Sequence, residues 1–230
     1  MSQPIHWLND DPRLFPSHEY ALKEPNGLLA AGGDLSCERL LNAYSIGIFP
    51  WYSEDDPILW WSPDPRCVLI PQEFKPSRSL SKAIRNSGFK VTSDKCFEQV
   101  MTECAAPRSK QDGTWINNEI INSYKNLHDL GFAHSIECWH EGELIGGLYG
   151  IAIGKAFFGE SMFSKESNSS KIAFAFLCEK LSEWGFEIID CQVHSPHLES
   201  LGAIEIPRSE FLKKLETAIT LEPDEEWHFG

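Results

Sequence analysis

Two polar residues end a short apolar run in the segment IIDCQV. Strand alternation would place Asp190 and Gln192 on one face, with Cys191 on the other. A carboxylate and an amide at the end of a buried strand are costly unless they are hydrogen-bonded or used in chemistry. The pair is therefore a candidate catalytic site. An alternative makes Cys191 a nucleophile with His194 or His197 as its base, and the same alternation argues against it.

Three further residues have side chains suited to a nucleoside. Glu160 stands beside an apolar run, where it could accept a hydrogen bond from a ribose or an amine, or equally form half of a surface ion pair. Trp51 in FPWY and Trp115 in GTWI are predicted in loops, where an indole offers a flat face to a base. Packing at a domain junction is the simpler interpretation of both tryptophans when the residues are considered alone.

Positive charge is concentrated in residues 74–90, which hold five basic residues and no acidic one in a chain of net charge −14. Arg78, Lys82 and Arg85 fall at i, i+4 and i+7, on one face of a predicted helix, and Lys75 precedes them. Such a concentration in an acidic protein favours phosphate binding. A solvated helix face is the alternative, and the pattern alone leaves both open.

Composition excludes several classes of protein. The 230 residues are 42% hydrophobic and 23% charged, which is typical of a folded globular protein of one or two domains. A pI near 5.0 is not that of a protein that coats nucleic acid with its whole surface. The N-terminus resembles no signal peptide, and the longest apolar stretch, residues 144–154, is about half a membrane span. We therefore expect a cytoplasmic protein without a membrane partner.

A metal site is not expected from the cysteines and histidines. The seven cysteines are scattered and form no CxxC pair. His134, Cys138 and His140 would share one face of a strand in HSIECWH, which keeps zinc formally possible. No fourth ligand is evident in the sequence, so we expect no metal.

The elements that must position these residues form an α+β pattern. Residues 1–64 are rich in Pro, Gly and Trp and predict a small loop-rich N-terminal domain, whereas residues 65–230 predict regular elements. The segment from FAHSIECW to GESMF alternates and turns at Glu141-Gly142, which indicates an antiparallel hairpin or meander. The other predicted strands are CVLI, FKVTS and EIIDCQV. The predicted helices are CERLLNAYSIG in the N-terminal region, with Tyr44 on its stripe, and SRSLSKAIRNSG, KCFEQVMTECA, INNEIINSYKNLHDLG, KIAFAFLCEKLSEWG and PRSEFLKKLETAI. The predicted fold is a mixed sheet flanked by helices.

A set of motifs in order resembles the leucyl/phenylalanyl-tRNA protein transferase family. They are EPNGLLAAGGDLS, GIFPWYSEDDPILWWSPDPR, GTWI, AHSIECW, GGLYG, FFGESMFS, IDCQ and SLGAIEIPR, and the resemblance covers about residues 15 to 212. It implies a GNAT-like catalytic domain and transfer of Leu or Phe, with Met a poorer substrate, from aminoacyl-tRNA to the N-terminal Arg or Lys of acceptor proteins, which marks them for degradation. The coenzyme A signature R-x-x-G-x-G/A is absent, as expected if tRNA replaces coenzyme A, and no cofactor is expected.

The resemblance also implies a role for each candidate. Trp51 and Trp115 would enclose the terminal adenine of the tRNA, and Glu160 would hydrogen-bond in that adenosine site. Asp190 and Gln192 would lie at the reacting ester. Our hypothesis is that Asp190 orients Gln192, whose amide oxygen accepts a hydrogen bond from the attacking amine. The pocket for the transferred side chain would be lined by Leu148, Met162, Ser164 and Ile189. The acceptor-stem phosphates would lie along Lys75, Arg78, Lys82 and Arg85.

Two rival functions remain on the same fold. One is a coenzyme A-dependent acyltransferase, which the missing signature disfavours. The other is a tRNA-binding module without catalytic activity, which would leave the IDCQ segment and the apolar pocket without a role.

Overall fold

The computed structural model describes residues 4–106, 115–222 and 227, and within them the chain forms two β-sheets flanked by α-helices. The strands are β1 (His6–Leu8), β2 (Leu28–Gly32), β3 (Phe49–Pro50), β4 (Leu59–Trp61), β5 (Arg66–Leu69), β6 (Lys90–Ser93), β7 (Ala133–His140), β8 (Glu143–Ile153), β9 (Ala156–Ser164), β10 (Ile188–Gln192) and β11 (Ile204–Ile206). The α-helices are α1 (Cys37–Ser45), α2 (Arg78–Asn86), α3 (Phe97–Ala105), α4 (Asn118–Asp129), α5 (Ser169–Glu183), α6 (Pro196–Glu199) and α7 (Arg208–Ala218).

The larger sheet has seven strands in the order β11-β5-β10-β9-β8-β7-β6. β10 and β9 pair in parallel, and the other pairs in this sheet are antiparallel. The predicted mixed sheet is therefore confirmed. The central meander β7-β8-β9 is the predicted one, and Glu141 and Gly142 make its first turn with φ of 51° and 86°. A tight hairpin turn needs positive φ at both central residues, which Gly142 adopts without strain.

Helices cover both faces of this sheet. Leu80 of α2 packs with the apolar residues of α5 against one face. The apolar stripes of α1, α3, α4 and α7 pack against the other. The predicted helices between residues 77 and 218 are all confirmed. Some carry a clear start signal, such as Ser77, whose hydroxyl accepts the N–H of Leu80 at the start of α2.

The N-terminal residues form the second, smaller sheet, in the order β1-β2-β4-β3. Its strands are only two to five residues long, too short for their alternation to be visible in the sequence. Trp60 and Tyr44 from this region belong to the same apolar core as Tyr149 and Phe158 of the large sheet. The small sheet is thus packed directly on the elements that hold the candidate site. The division at residue 64 stays a prediction.

Candidate active site

One cavity of about 710 Å³ opens where β8, β9 and β10 meet the first half of α5. The residues predicted to form the side-chain pocket, Leu148, Met162, Ser164 and Ile189, all line it. Apolar side chains that the sequence analysis did not single out complete the wall: Tyr149, Phe157, Phe174, Leu177 and Leu198. These apolar side chains make the cavity suited to an apolar ligand group. Its role as the pocket for a transferred side chain stays a prediction.

Ser164 ends β9 at the edge of this cavity and joins it to α5. Its hydroxyl donates to the Ser170 hydroxyl at 2.7 Å and accepts the Ser170 backbone N–H at 3.1 Å. A free N–H of the first helical turn is thereby satisfied by a side chain of the sheet. The contact fixes where the helix begins relative to the cavity wall.

Glu160, also on β9, lines the same cavity, and its carboxylate is enclosed by three neutral partners. The Tyr44 hydroxyl donates to Oε1 at 2.7 Å, the Tyr124 hydroxyl contacts Oε2 at 3.2 Å, and Gln192 Nε2 donates to Oε1 at 2.9 Å. The alternative of a surface ion pair is therefore wrong. The two phenols come from α1 and α4, far away in the sequence, and their hydroxyls are 2.5 Å apart.

Burial raises the pKa of Glu160 from its usual 4.5 to about 7, although the three hydrogen bonds pull it down and the nearby Asp190 adds to the rise. The pKa values of Tyr44 and Tyr124 are raised well above the usual 10, first by burial and then by the charge of Glu160. Both phenols therefore stay protonated. Glu160 changes its charge near neutral pH.

Gln192 has an unusual backbone conformation at the end of β10. Its φ is +64°, and the pairing with β5 shifts register between Asp190 and Gln192, which is the signature of a β-bulge. The predicted alternation is therefore wrong beyond Asp190. The bulge brings Cys191 as well as Gln192 into the wall of the cavity, whereas simple alternation separates them.

Asp190 is fully buried and binds Arg66 at the start of β5. Arg66 Nε donates to Oδ1 at 2.8 Å and Nη2 donates to Oδ2 at 2.7 Å, a fork that occupies both oxygens. Oδ1 also accepts the backbone N–H of Gln192 at 2.9 Å. Asp190 thus contacts the backbone of Gln192, and the Gln192 side-chain amide is held by Glu160.

The two candidate stacking residues lie in different surroundings. Trp51 is 45% exposed, its ring centre is 5.6 Å from that of Trp61, and its carbonyl accepts the Trp61 indole N–H at 2.6 Å. Trp115 is half-buried and packs against the core. The Gly-Thr turn predicted before Trp115 lies outside the described residues. That the two indoles enclose a base stays a prediction.

The basic side chains lie on the predicted helix and on the residues before it. Arg78, Lys82 and Arg85 project from α2, Lys75 precedes it, and all four are exposed. None of them forms an ion pair with a residue that the structure describes. These cations are therefore available to an external anion.

The alternative chemistries find little support in the geometry. Contact with Cys67, together with burial, raises the pKa of the Cys191 thiol well above its usual value, which disfavours a nucleophilic thiolate. His134 binds Asp94 at 2.7 Å and His140 binds Glu166 at 3.0 Å. Within the described ranges, no group of three His, Cys, Asp or Glu side chains is placed to hold a metal ion. No helix in the same ranges is long and apolar enough to span a bilayer.

Sequence reasoning missed Arg66, Tyr44 and Tyr124, although they bind the predicted residues directly. Arg66 stood in the WWSPDPR motif without an assigned role. The signal available was a charged residue opening an apolar strand, since a buried arginine needs a carboxylate partner. The two tyrosines lie in helical stripes, where core packing is the ordinary interpretation of a tyrosine.

The fold identifies the structural class to which the protein belongs. The mixed sheet flanked by helices confirms the predicted α+β class. The crystal structure of FemX aligns with a TM-score of 0.50 at 12% identity, over 78% of this chain and 71% of that chain. A likeness at this identity shows a shared fold.

Sequence comparison places the chain more narrowly. Residues 68–216 match the family model described as leucyl/phenylalanyl-tRNA protein transferase, and residues 33–64 match the model of its N-terminal domain. A leucyl/phenylalanyl-tRNA–protein transferase of Nitrosospira multiformis is 57% identical over 98% of this chain and 97% of its own length. One from Stutzerimonas stutzeri is 56% identical over 92% and 93%. The chain belongs to the leucyl/phenylalanyl-tRNA protein transferase family, as the motifs indicated.

Proposed function

We propose that this protein transfers Leu or Phe, and Met less well, from aminoacyl-tRNA to the N-terminal Arg or Lys of acceptor proteins. The acceptor α-amine attacks the ester carbonyl, a peptide bond forms, the ester bond to the terminal ribose breaks, and the proton of the amine leaves with the ribose oxygen. The product is marked for degradation. One observation carries the proposal: the same cavity is lined by the four side-chain pocket residues and by Gln192 and Glu160.

The geometry gives Gln192 a definite orientation. Because its Nε2 donates to Glu160, its Oε1 is left as the acceptor that an attacking amine can use. An amide oxygen is too weak a base to remove a proton, so its contribution is to orient the amine over the carbonyl. Positioning can supply most of the acceleration here, since the ester is already activated. An α-amine has a pKa of about 7.7–8.0, so a useful fraction is neutral at pH 7.

Glu160 is suited to two tasks at once. A carboxylate offers about four lone-pair sites, and its three protein partners leave one for a ribose hydroxyl. We therefore assign it to the adenosine site and to the positioning of Gln192. The tRNA then reaches the same carboxylate that orients the amide, which couples donor binding to the arrangement of the reacting groups.

The terminal adenine is assigned to Trp51 and Trp115. Stacking of a base on an aromatic ring is worth about 1–3 kcal/mol, so Trp51→Ala should weaken aminoacyl-tRNA binding by roughly 5- to 150-fold. Trp7→Ala is the matched control, because Trp7 is even more exposed and lies on β1 of the small sheet. Equal affinities for the two variants would exclude Trp51 from the adenosine site.

The exposed cations of α2 are assigned to the acceptor-stem phosphates. Each phosphate contact contributes about 0.7–0.9 to the slope of log affinity against log salt concentration. Replacing Arg78, Lys82 and Arg85 by Gln should therefore lower the slope by about 2–3. The control replaces the exposed Lys213 and Lys214 of α7 by Gln. An equal loss of slope in both variants would mean that the charge effect is not local.

A transfer assay tests the reaction itself. Radiolabelled Leu-tRNA and the purified protein are incubated with a protein that begins with Arg, with and without RNase pretreatment. We expect label on the Arg protein that disappears with RNase and with an acetylated N-terminus. Gln192→Ala should reduce the turnover, whereas Gln99→Ala, an exposed substitution on α3, should not. Binding of Leu-tRNA without any transfer would support the binding-module alternative instead.

Three further assignments belong to the same proposal. The reaction needs no metal ion or cofactor, because its donor is already an activated ester, so dialysis against a chelator should leave transfer unchanged. The site of action is the cytoplasm. The chain is organised as an N-terminal domain of residues 1–64 and a catalytic domain of residues 65–230, which agrees with the separate matches at 33–64 and 68–216.

A further inference from the structure

Arg66 is one of the most deeply buried charges in the described part of the chain. The rings of Phe49 and Phe211 pack against its guanidinium, whose central carbon is 4.8 Å and 4.6 Å from the two ring centres. Its only carboxylate partner among the described residues is Asp190, through the two-pronged contact given above. The position of a buried arginine held this way is restricted, because its planar fork binds both oxygens of one carboxylate.

Asp190 passes this constraint on to Gln192. A non-glycine residue at φ of +64° carries backbone strain. The hydrogen bond from the Gln192 N–H to Asp190 Oδ1 offsets that strain, and charge-assisted hydrogen bonds are about twice as strong as neutral ones. The bulge at Gln192 is therefore stabilised by a carboxylate that cannot move, since its other contacts go to Arg66.

We infer that Arg66 is a positioning residue for the transfer reaction, acting through Asp190 and the backbone of Gln192. Asp190 serves as the link between the two, because its oxygens accept hydrogen bonds from the Arg66 guanidinium and from the Gln192 backbone N–H. The inference rests on the proposed function, in which Gln192 orients the attacking amine. It also gives Phe49 and Phe211 a part, since both rings pack against the guanidinium.

The first test is Arg66→Lys, which keeps the positive charge but cannot make the two parallel hydrogen bonds of the guanidinium to Asp190. We expect the kcat for Leu transfer to fall about 10- to 100-fold, since a displacement near 1 Å can cost that much. The KM for Leu-tRNA should change less than about twofold, because the pocket and α2 are untouched. Arg39→Lys is the matched control: Arg39 is equally buried and binds Asp34 at 3.2 Å, away from Gln192. Equal losses of kcat in the two variants would overturn the inference.

A double-mutant cycle separates positioning from a general loss of structure. If Arg66 acts through Gln192, adding Arg66→Lys to Gln192→Ala should lower kcat by less than about twofold further. Adding Arg39→Lys to Gln192→Ala should have the effect that it has in the wild type. An undiminished effect of Arg66→Lys in the Gln192→Ala background would show that Arg66 acts elsewhere.

Two further measurements keep the inference falsifiable. Hydrogen exchange of the Gln192 amide needs no transfer activity, and Arg66→Lys should reduce its protection at least about tenfold while Arg39→Lys leaves it unchanged. If the wild type shows no transferase activity but Arg66→Lys still reduces the protection of the Gln192 amide, the role of Arg66 in the geometry stands and only the proposed function is refuted.

If Arg66→Lys does not fold, Asp190→Asn takes its place as the test variant. A positioning role for Asp190 predicts that Asp190→Asn keeps a turnover above that of Gln192→Ala, with an unchanged pH profile. A lost alkaline or acid limb in that profile would identify Asp190 as a proton acceptor.

Discussion

The raised pKa of Glu160 predicts that the protein loses stability between about pH 4.5 and pH 7. The pKa of about 7 in the folded protein exceeds the usual 4.5. Each pKa unit corresponds to about 1.36 kcal/mol, so ionisation of Glu160 costs the folded state roughly 3 kcal/mol. The sign follows from proton binding. Between the two values the folded protein holds a proton that the unfolded chain has released, so the free energy of unfolding falls as pH rises and levels off above pH 7.

The contacts around Glu160 explain why a proton is tolerated there. Tyr44, Tyr124 and the carboxyl group make three mutual oxygen–oxygen contacts, of 2.5, 2.7 and 3.2 Å. The two phenols bring only two hydrogens to these contacts. A protonated Glu160 can supply the third, so all three contacts can persist as hydrogen bonds when the carboxyl group binds a proton.

Urea unfolding of the wild type and of Glu160→Gln tests this prediction. The difference in unfolding free energy between them should change by roughly 2–3 kcal/mol from pH 5 to pH 8, in favour of the variant at the higher pH. Gln99→Ala is the control, because it changes no titrating group and its difference from the wild type must be independent of pH. A Glu160→Gln difference that is equal at both pH values would refute the argument that burial raises the pKa of this carboxyl group.

Three other substitutions have definite expected outcomes. Tyr44→Phe removes a hydrogen bond that lowers the pKa of Glu160, so the loss of stability should extend to higher pH in the same urea series. Leu148→Phe narrows the cavity and should reduce transfer of Phe more than transfer of Leu, with a change in the competition ratio of about tenfold. Cys191→Ser should keep turnover within about twofold, and wild-type turnover should resist iodoacetamide, because Cys67 and burial raise the pKa of the thiol.

The sequence predicted most of the large sheet and its helices because those elements carry local signals. The meander could be predicted from alternation and the Glu141-Gly142 turn, and α2 from its cap and stripe. The four candidate residues of the side-chain pocket came from the family resemblance, and the structure brings them to one cavity. Periodicity alone could not select them, because any apolar residue on these strands satisfies the same pattern.

The conformation of Gln192 could not be predicted, because a bulge leaves no signature in a five-residue strand. Alternation is a property of regular pairing, and one extra residue opposite β5 reverses which side chains share a wall. The bulge depends on Arg66, which is separated from Asp190 by 124 positions. Non-local pairs of this kind are invisible to periodicity.

The small N-terminal sheet and its helix affect the site more than their loop-rich sequence suggested. Tyr44 binds Glu160 and Phe49 covers Arg66, so residues before position 65 contact both groups that hold Gln192. Glu160 holds the side-chain amide of Gln192, and Arg66 holds its backbone through Asp190. Because these two contacts come from the same packed region, a substitution that loosens the N-terminal residues should disturb Gln192 without touching the cavity. The N-terminal region is therefore part of the support of the site, in addition to carrying Trp51.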